Sequence, residues 1–183
     1  MRYALTIFLC VFFAPLPVLA QGEPEGAALN AALDALASGD ADALAAAEAQ
    51  LGDPVARDIV EWTRLRGGYQ PFEAYVAFLD RNPDWPGLPY LRVQGEPSIP
   101  EGADPVQVIA YFADQPPRTG AGVLALTDAL ETMGERDAAE AEAIRAWTSM
   151  TLTSGTAGEL RDRYGDVLNS GDHHERRLDY LLW

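Results

Sequence analysis

Lysine is missing altogether from this 183-residue chain: all 13 basic residues are arginines, set against 28 aspartates and glutamates, for a formal net charge of −15. A surface this acidic repels phosphate backbones and anionic lipid, so nucleic acid is not an expected partner. Cysteine occurs once, as Cys10, and histidine twice, as His173 and His174. A single thiol can form neither an internal disulfide nor a thiolate zinc site, so stability must come from packing. Strand-like alternation is nearly lacking as well. So are the motifs that carry common chemistries: no P-loop, no G-x-S-x-G elbow and no H-E-x-x-H occurs, and the GAG run at Gly120–Gly122 is too short to cradle phosphates. No cofactor is expected.

What is present begins with Arg2 ahead of the apolar run ALTIFLCVFFAPLPVLA. The run is short and ends on Pro15 and Pro17, which suits a secretory signal peptide better than a membrane span. Val18 and Ala20 stand at the two positions a signal peptidase reads. Residues 1–20 are therefore expected to leave as the signal, and 21–183 to form one helical-repeat domain. That domain has no cysteine, and losing Arg2 makes it one unit more acidic still. Phe8 and Leu9 lack the small side chain that lipid attachment at Cys10 would need. The expectation is an exported, periplasmic protein that is not embedded in a membrane once the signal is removed.

From Gly26 onward, brief helical patterns follow one another. Leu29, Leu33 and Leu36 mark a first helix and Leu44 and Leu51 a second, together an Ala-rich hairpin. Asp53-Pro54 and Asp104-Pro105 each offer a cap followed by proline at the first helical position. Pro71 opens a helix with Phe72, Tyr75, Val76 and Leu79, and Asp84 is expected to cap the next, ending at Gly95. Glu96 to Ala103 reads as a loop. Thr119 caps a helix ended by Gly134, a partner runs from Glu135 to Met150, a ninth from Thr153 or Ser154 through Tyr164, and a tenth from Asp172. Helix starts recur about every 16 residues, so a hairpin takes about 32, close to the tetratricopeptide period. Hairpins this small bury their apolar faces only by stacking. The fold class is therefore all-α, a right-handed α-solenoid of antiparallel hairpins in the tetratricopeptide manner. Leu178, Leu181 and Leu182 extend an apolar stripe to the last residues, which is expected where a further repeat follows and this chain is truncated.

Candidate sites are sparse. His173 and His174 are adjacent and point about 100° apart on a helix, so they do not make the i, i+4 pair that zinc uses, and no metal site is expected. Glu140 and Glu142 read as a solvated face, and no pair of acids stands out as a catalytic couple, so no catalytic residue is assigned. Arg57, Arg64, Arg66 and Arg81 form the one local basic concentration. Arg57 and Arg64, two turns apart, could meet carboxylates of a ligand or pair with Asp58 or Glu61. Among the tryptophans, Trp85 lies between prolines in a loop and could stack on a sugar face, whereas Trp62, Trp147 and Trp183 fit a core. Arg57, Arg64 and Trp85 are the candidate contacts for a glycan or a partner.

In order, ARDIVEWTRLRGG, FEAYVAFLDRNPDWPGLPYLR, a hairpin of the EAEAIRAW type, RYGDVL and HHERRLDYLLW resemble the N-terminal helical superhelix of soluble lytic murein transglycosylases. The resemblance runs from Asp53 to Trp183. It implies a periplasmic scaffold in cell-wall turnover, with two partners: a peptidoglycan glycan strand and a lysozyme-like catalytic domain at the C-terminal side. In that family a Glu-Ser pair supplies the acid that cleaves the MurNAc–GlcNAc bond to a 1,6-anhydro product, without metal or cofactor. Here no glutamate is followed by serine and no G-L-M-Q run occurs, so the chain by itself is expected to be inactive. The alternative is a stand-alone periplasmic adaptor of tetratricopeptide type that binds a protein partner.

Overall fold

The computed structural model describes residues 22–182, and side chains from Pro24; the expected signal peptide and Trp183 lie outside the described residues. Among the described residues the chain is all-α, with ten helices, one short 3-10 turn and no strand. No helix among them is long and apolar enough to cross a membrane. The backbone divides into two compact units, one ending at Arg57 and the other starting at Asp58.

The first unit holds α1 (Gly22–Ser38), α2 (Ala41–Glu48) and the start of α3 (Pro54–Arg66). α1 and α2 pack on each other as a hairpin whose buried residues are mostly alanines, Ala28, Ala32, Ala35 and Ala47, closed off by Leu51. Small side chains at i, i+4 and i+7 give a narrow apolar stripe and let the helices approach closely. Asp40 caps α2 by accepting from the Ala43 amide at 2.9 Å. Glu25 accepts from the Gly52 and Asp53 amides at 3.0 and 2.9 Å, which ties α1 to the entry of α3.

The second unit is built on two cores. The first is aromatic: α4 (Phe72–Arg81) contributes Phe72, Tyr75, Phe78 and Leu79, α5 (Leu88–Gly95) Leu91, and α6 (Pro105–Tyr111) Val108 and Tyr111, with Leu65 and Phe112 completing it. Fully burying such side chains contributes about 1.5–3 kcal/mol each. Edge-to-face pairs order the rings, Phe72 on Tyr111 with centroids 5.0 Å apart and Phe78 on Trp85 at 5.7 Å. The second core lies among α7 (Gly120–Thr132), α8 (Arg136–Ser149) and α9 (Ser154–Leu168). There Ala139, Ala143, Ala146 and Ala157 surround Trp147, Leu160, Tyr164 and Leu168. α7 packs on α8, α9 packs on both, and α10 (Gly171–Leu182) packs on α8. Arg163 of α9 fastens that helix to α7 through Asp128 and, at 2.9 Å, Glu131.

Several boundaries differ from the sequence reading. α5 starts at Leu88, not after Asp84, because Pro86 holds Trp85 out of the helical region; the cap is Gly87, at φ 79°, a left-handed conformation glycine adopts without strain. The expected loop after Gly95 begins with a 3-10 turn, Glu96–Ser98. α9 runs on to Leu168 across a break at Tyr164 (φ −124°, ψ 19°). α10 is capped by Ser170, not Asp172: the Ser170 carbonyl accepts from the His174 amide at 3.2 Å and its Oγ from the His173 amide at 3.4 Å.

Candidate functional site

The residues singled out in the sequence have local uses. Arg57 is exposed along part of its length, yet its Nε and Nη2 donate to the Leu51 carbonyl at 3.0 and 2.6 Å. Asp58 and Glu61, its expected partners, are taken instead by Arg81, at 3.1 and 2.6 Å. Arg64 is half-buried and has a partner of its own. Trp85 is half-buried against Phe78, with its indole N–H buried and without a hydrogen-bond acceptor, so the ring belongs to the aromatic core more than to an open loop. Glu142 is buried, not solvated, and forms a two-pronged pair with Arg145, at 2.6 and 2.7 Å; Glu140 pairs with Arg136 at 2.9 Å. His173 Nδ1 lies 2.9 Å from the Val167 carbonyl. Among the described residues, no three metal-ligating side chains gather.

The most buried carboxylate is Glu96, 1% exposed. It accepts from the Arg118 amide at 2.9 Å and from both the amide and the hydroxyl of Thr119, at 2.6 Å each. These are the free donors at the start of α7, so Glu96 seals that helix end against the turn after α5. Burial pushes its carboxyl above the usual value, against the Thr119 and Arg118 hydrogen bonds and the Arg145 charge. A raised carboxyl pKa is what a glycosidic acid needs, but this side chain is shut away from solvent and its oxygens are engaged. Gly122 packs directly on it: a methyl group there would come 2.8 Å from the Glu96 carboxyl carbon. The position is structural.

An accessible constellation lies at the other end of the unit. Arg177 of α10 stacks its guanidinium 3.8 Å from the Trp147 ring centroid and donates to the Trp147 carbonyl at 2.8 Å. Three residues after Arg177 and four after Trp147, just past the end of α8, the Tyr180 and Thr151 hydroxyls meet at 3.3 Å, so α10 runs in the same direction as α8. α9 runs oppositely, and a groove of about 410 Å³ opens between α9 and α10. Ser154, Ala157 and Arg161 line one wall at i, i+3 and i+7; His174, Arg177, Leu178 and Leu181 line the other at i, i+3, i+4 and i+7; Trp147 forms the floor. No family model, curated protein or solved structure matches the chain.

The groove is divided by polarity. Arg161, Arg177 and His174 gather toward the turn that joins the two helices, and Leu178, Leu181 and Ala157 toward the open end. Arg161 donates only to its own Ala157 carbonyl, at 3.2 Å, and neither arginine meets a carboxylate among the described residues. Burial, together with the charge of Arg161, lowers the pKa of Arg177. Leu178, Leu181 and Leu182 are 58, 53 and 76% exposed, a leucine face left uncovered by the described residues. Sequence reading singled out the leucines and His174 separately but not the groove. Its signal was the pair of helical spacings, 154/157/161 and 174/177/178/181, carried by two different helices.

Proposed function

We propose that this chain is a helical scaffold of the soluble lytic murein transglycosylase type, acting in the periplasm on the side of a catalytic domain that does the cleaving. The observation that carries this reading is the packing order of the last four helices. α8 lies on α7, α9 against both, and α10 back on α8, so each added helix rests on earlier ones, as the helices of a tetratricopeptide-like array do. The resemblance adds the setting. NPDWPGLP forms the corner between α4 and α5, and HHERRLDYLLW supplies nearly all of α10. Within this reading the scaffold positions a peptidoglycan strand for an acid it does not itself provide.

The test is direct. Residues 21–183, incubated with purified peptidoglycan sacculi, are expected to sediment with them and to release no 1,6-anhydromuropeptides by mass spectrometry; a catalytic domain of the family supplied in trans is expected to cleave more in their presence. Release of anhydro products by the chain alone would overturn the scaffold reading. Failure to sediment with sacculi and to affect cleavage would leave the second reading, a periplasmic adaptor for a protein partner. The uncovered leucine face of α10 is the observation that favours it.

A further inference from the structure

We propose that the groove between α9 and α10 binds an acidic, leucine-bearing helical segment of a partner protein. A carboxylate of the segment sits between Arg161 and Arg177, and its apolar side chains lie against Leu178 and Leu181.

Three features specify the occupant. The first is charge. In a chain with 28 acidic residues and 13 arginines, a carboxylate near any cation is the ordinary case, and Arg81, Arg136, Arg145 and Arg163 all have one. Arg161 and Arg177 face each other across the groove with none among the described residues, so an incoming anion relieves their repulsion and gains charge-assisted hydrogen bonds. The second is the apolar end: Leu178 follows Arg177 directly and Leu181 lies one turn beyond it, so the ligand must carry apolar side chains within about one turn of its acid. The third is length. Each wall spans eight residues, about 10 Å or two helical turns, which matches the i, i+3, i+4 footprint of a docked amphipathic helix. A membrane satisfies the first two features less well, because the net charge of −15 repels the anionic lipid that the arginines would seek.

The test uses the full chain and two fluorescein-labelled, end-capped helical peptides. One carries a glutamate with leucines three and four residues on, and the other is identical but with glutamine in place of the glutamate. Fluorescence anisotropy is expected to show the glutamate peptide bound about tenfold or more tightly than the glutamine peptide. Arg161→Gln is expected to erase that preference. Because Arg161 hydrogen-bonds only within its own helix, this variant keeps the fold, whereas Arg177→Gln also loosens α10 and serves as the second, harsher variant. Leu178→Ser with Leu181→Ser is expected to weaken both peptides alike. Equal affinity for the two peptides, no effect of Arg161→Gln, or no binding of either would overturn the proposal. So would Arg161-dependent binding to vesicles of phosphatidylcholine and phosphatidylglycerol without peptide binding, or Arg161-dependent self-association in sedimentation equilibrium, which would make a second copy the occupant.

Discussion

Tyr111 and Arg92 hold each other's backbone: the Tyr111 hydroxyl donates to the Arg92 carbonyl at 2.7 Å, and Arg92 Nη1 donates to the Tyr111 carbonyl at 2.7 Å. This reciprocal clasp joins the last turn of α6 to α5, in the middle of the aromatic core. Tyr111→Phe keeps the ring and its packing on Phe72 but removes one of the two donors to the Arg92 carbonyl, leaving it the Glu96 amide alone. A loss of about 1 kcal/mol is expected, measured as a lower urea midpoint with unchanged slope.

Gly95 lies where α5 passes closest to that clasp. A methyl group at this position would strike the Tyr111 hydroxyl and come 2.8 Å from Tyr75 Cγ. Gly95→Ala is expected to cost about 1–3 kcal/mol by overpacking, despite alanine's better helix propensity. Adding Tyr111→Phe should recover only part of the loss, since the Tyr75 ring still obstructs the methyl group. A double-mutant cycle reads the difference.

Two carboxylates give opposite pH signatures. Burial raises the pKa of Glu96 above its ordinary 4.5, so the folded chain holds that proton more tightly than the unfolded chain. Its contribution is complete below 4.5 and is lost as pH climbs through the raised value. At Glu131 burial acts upward too, but hydrogen bonding and charge from Arg163, with Arg136 behind it, outweigh it and lower the pKa. Its contribution is present above 4.5 and lost as pH falls through the lowered value. Urea titrations between about pH 3.5 and 7 should therefore show the stability advantage of wild type over Glu96→Gln shrinking as pH rises, and that over Glu131→Gln growing.

α10 depends on Arg177. No described side chain of the helix is buried, and its described polar links to α8 and the segment just after it are the Arg177 contacts with Trp147 and the Tyr180–Thr151 hydrogen bond. Arg177→Ala is expected to abolish most hydrogen-exchange protection across residues 171–182. Protection in α7 and α8 should persist.

Much of the helical framework was legible because the chain writes its caps at the helix ends. Asp104 accepts from the Val106 amide, Thr119 from Gly122 and Thr153 from Thr156, each where a polar residue precedes an apolar stripe. The misplaced starts share one cause. Asp84 and Asp172 each had a rival nearby, Gly87 and Ser170, and the backbone beyond a proline or within a tight turn decided between them. Partner choice was not legible at all. Nothing local in α3 says that Asp58 and Glu61 belong to Arg81, or that Arg57 turns to a carbonyl, because those pairings are set by how helices meet. The groove was hidden for the same reason: Arg161 and Arg177 are unremarkable on their own helices and acquire meaning only when α10 leans on α8.

The stacking of Arg177 on Trp147 also has an optical consequence. The Trp147 indole is 4% exposed, and part of its cover is the guanidinium that α10 lays over it. Trp62 and Trp85 sit in the other core, away from that event. Undocking α10 opens the Trp147 indole to water and red-shifts its emission, so the protein carries an unlabelled gauge of what its last helix is doing.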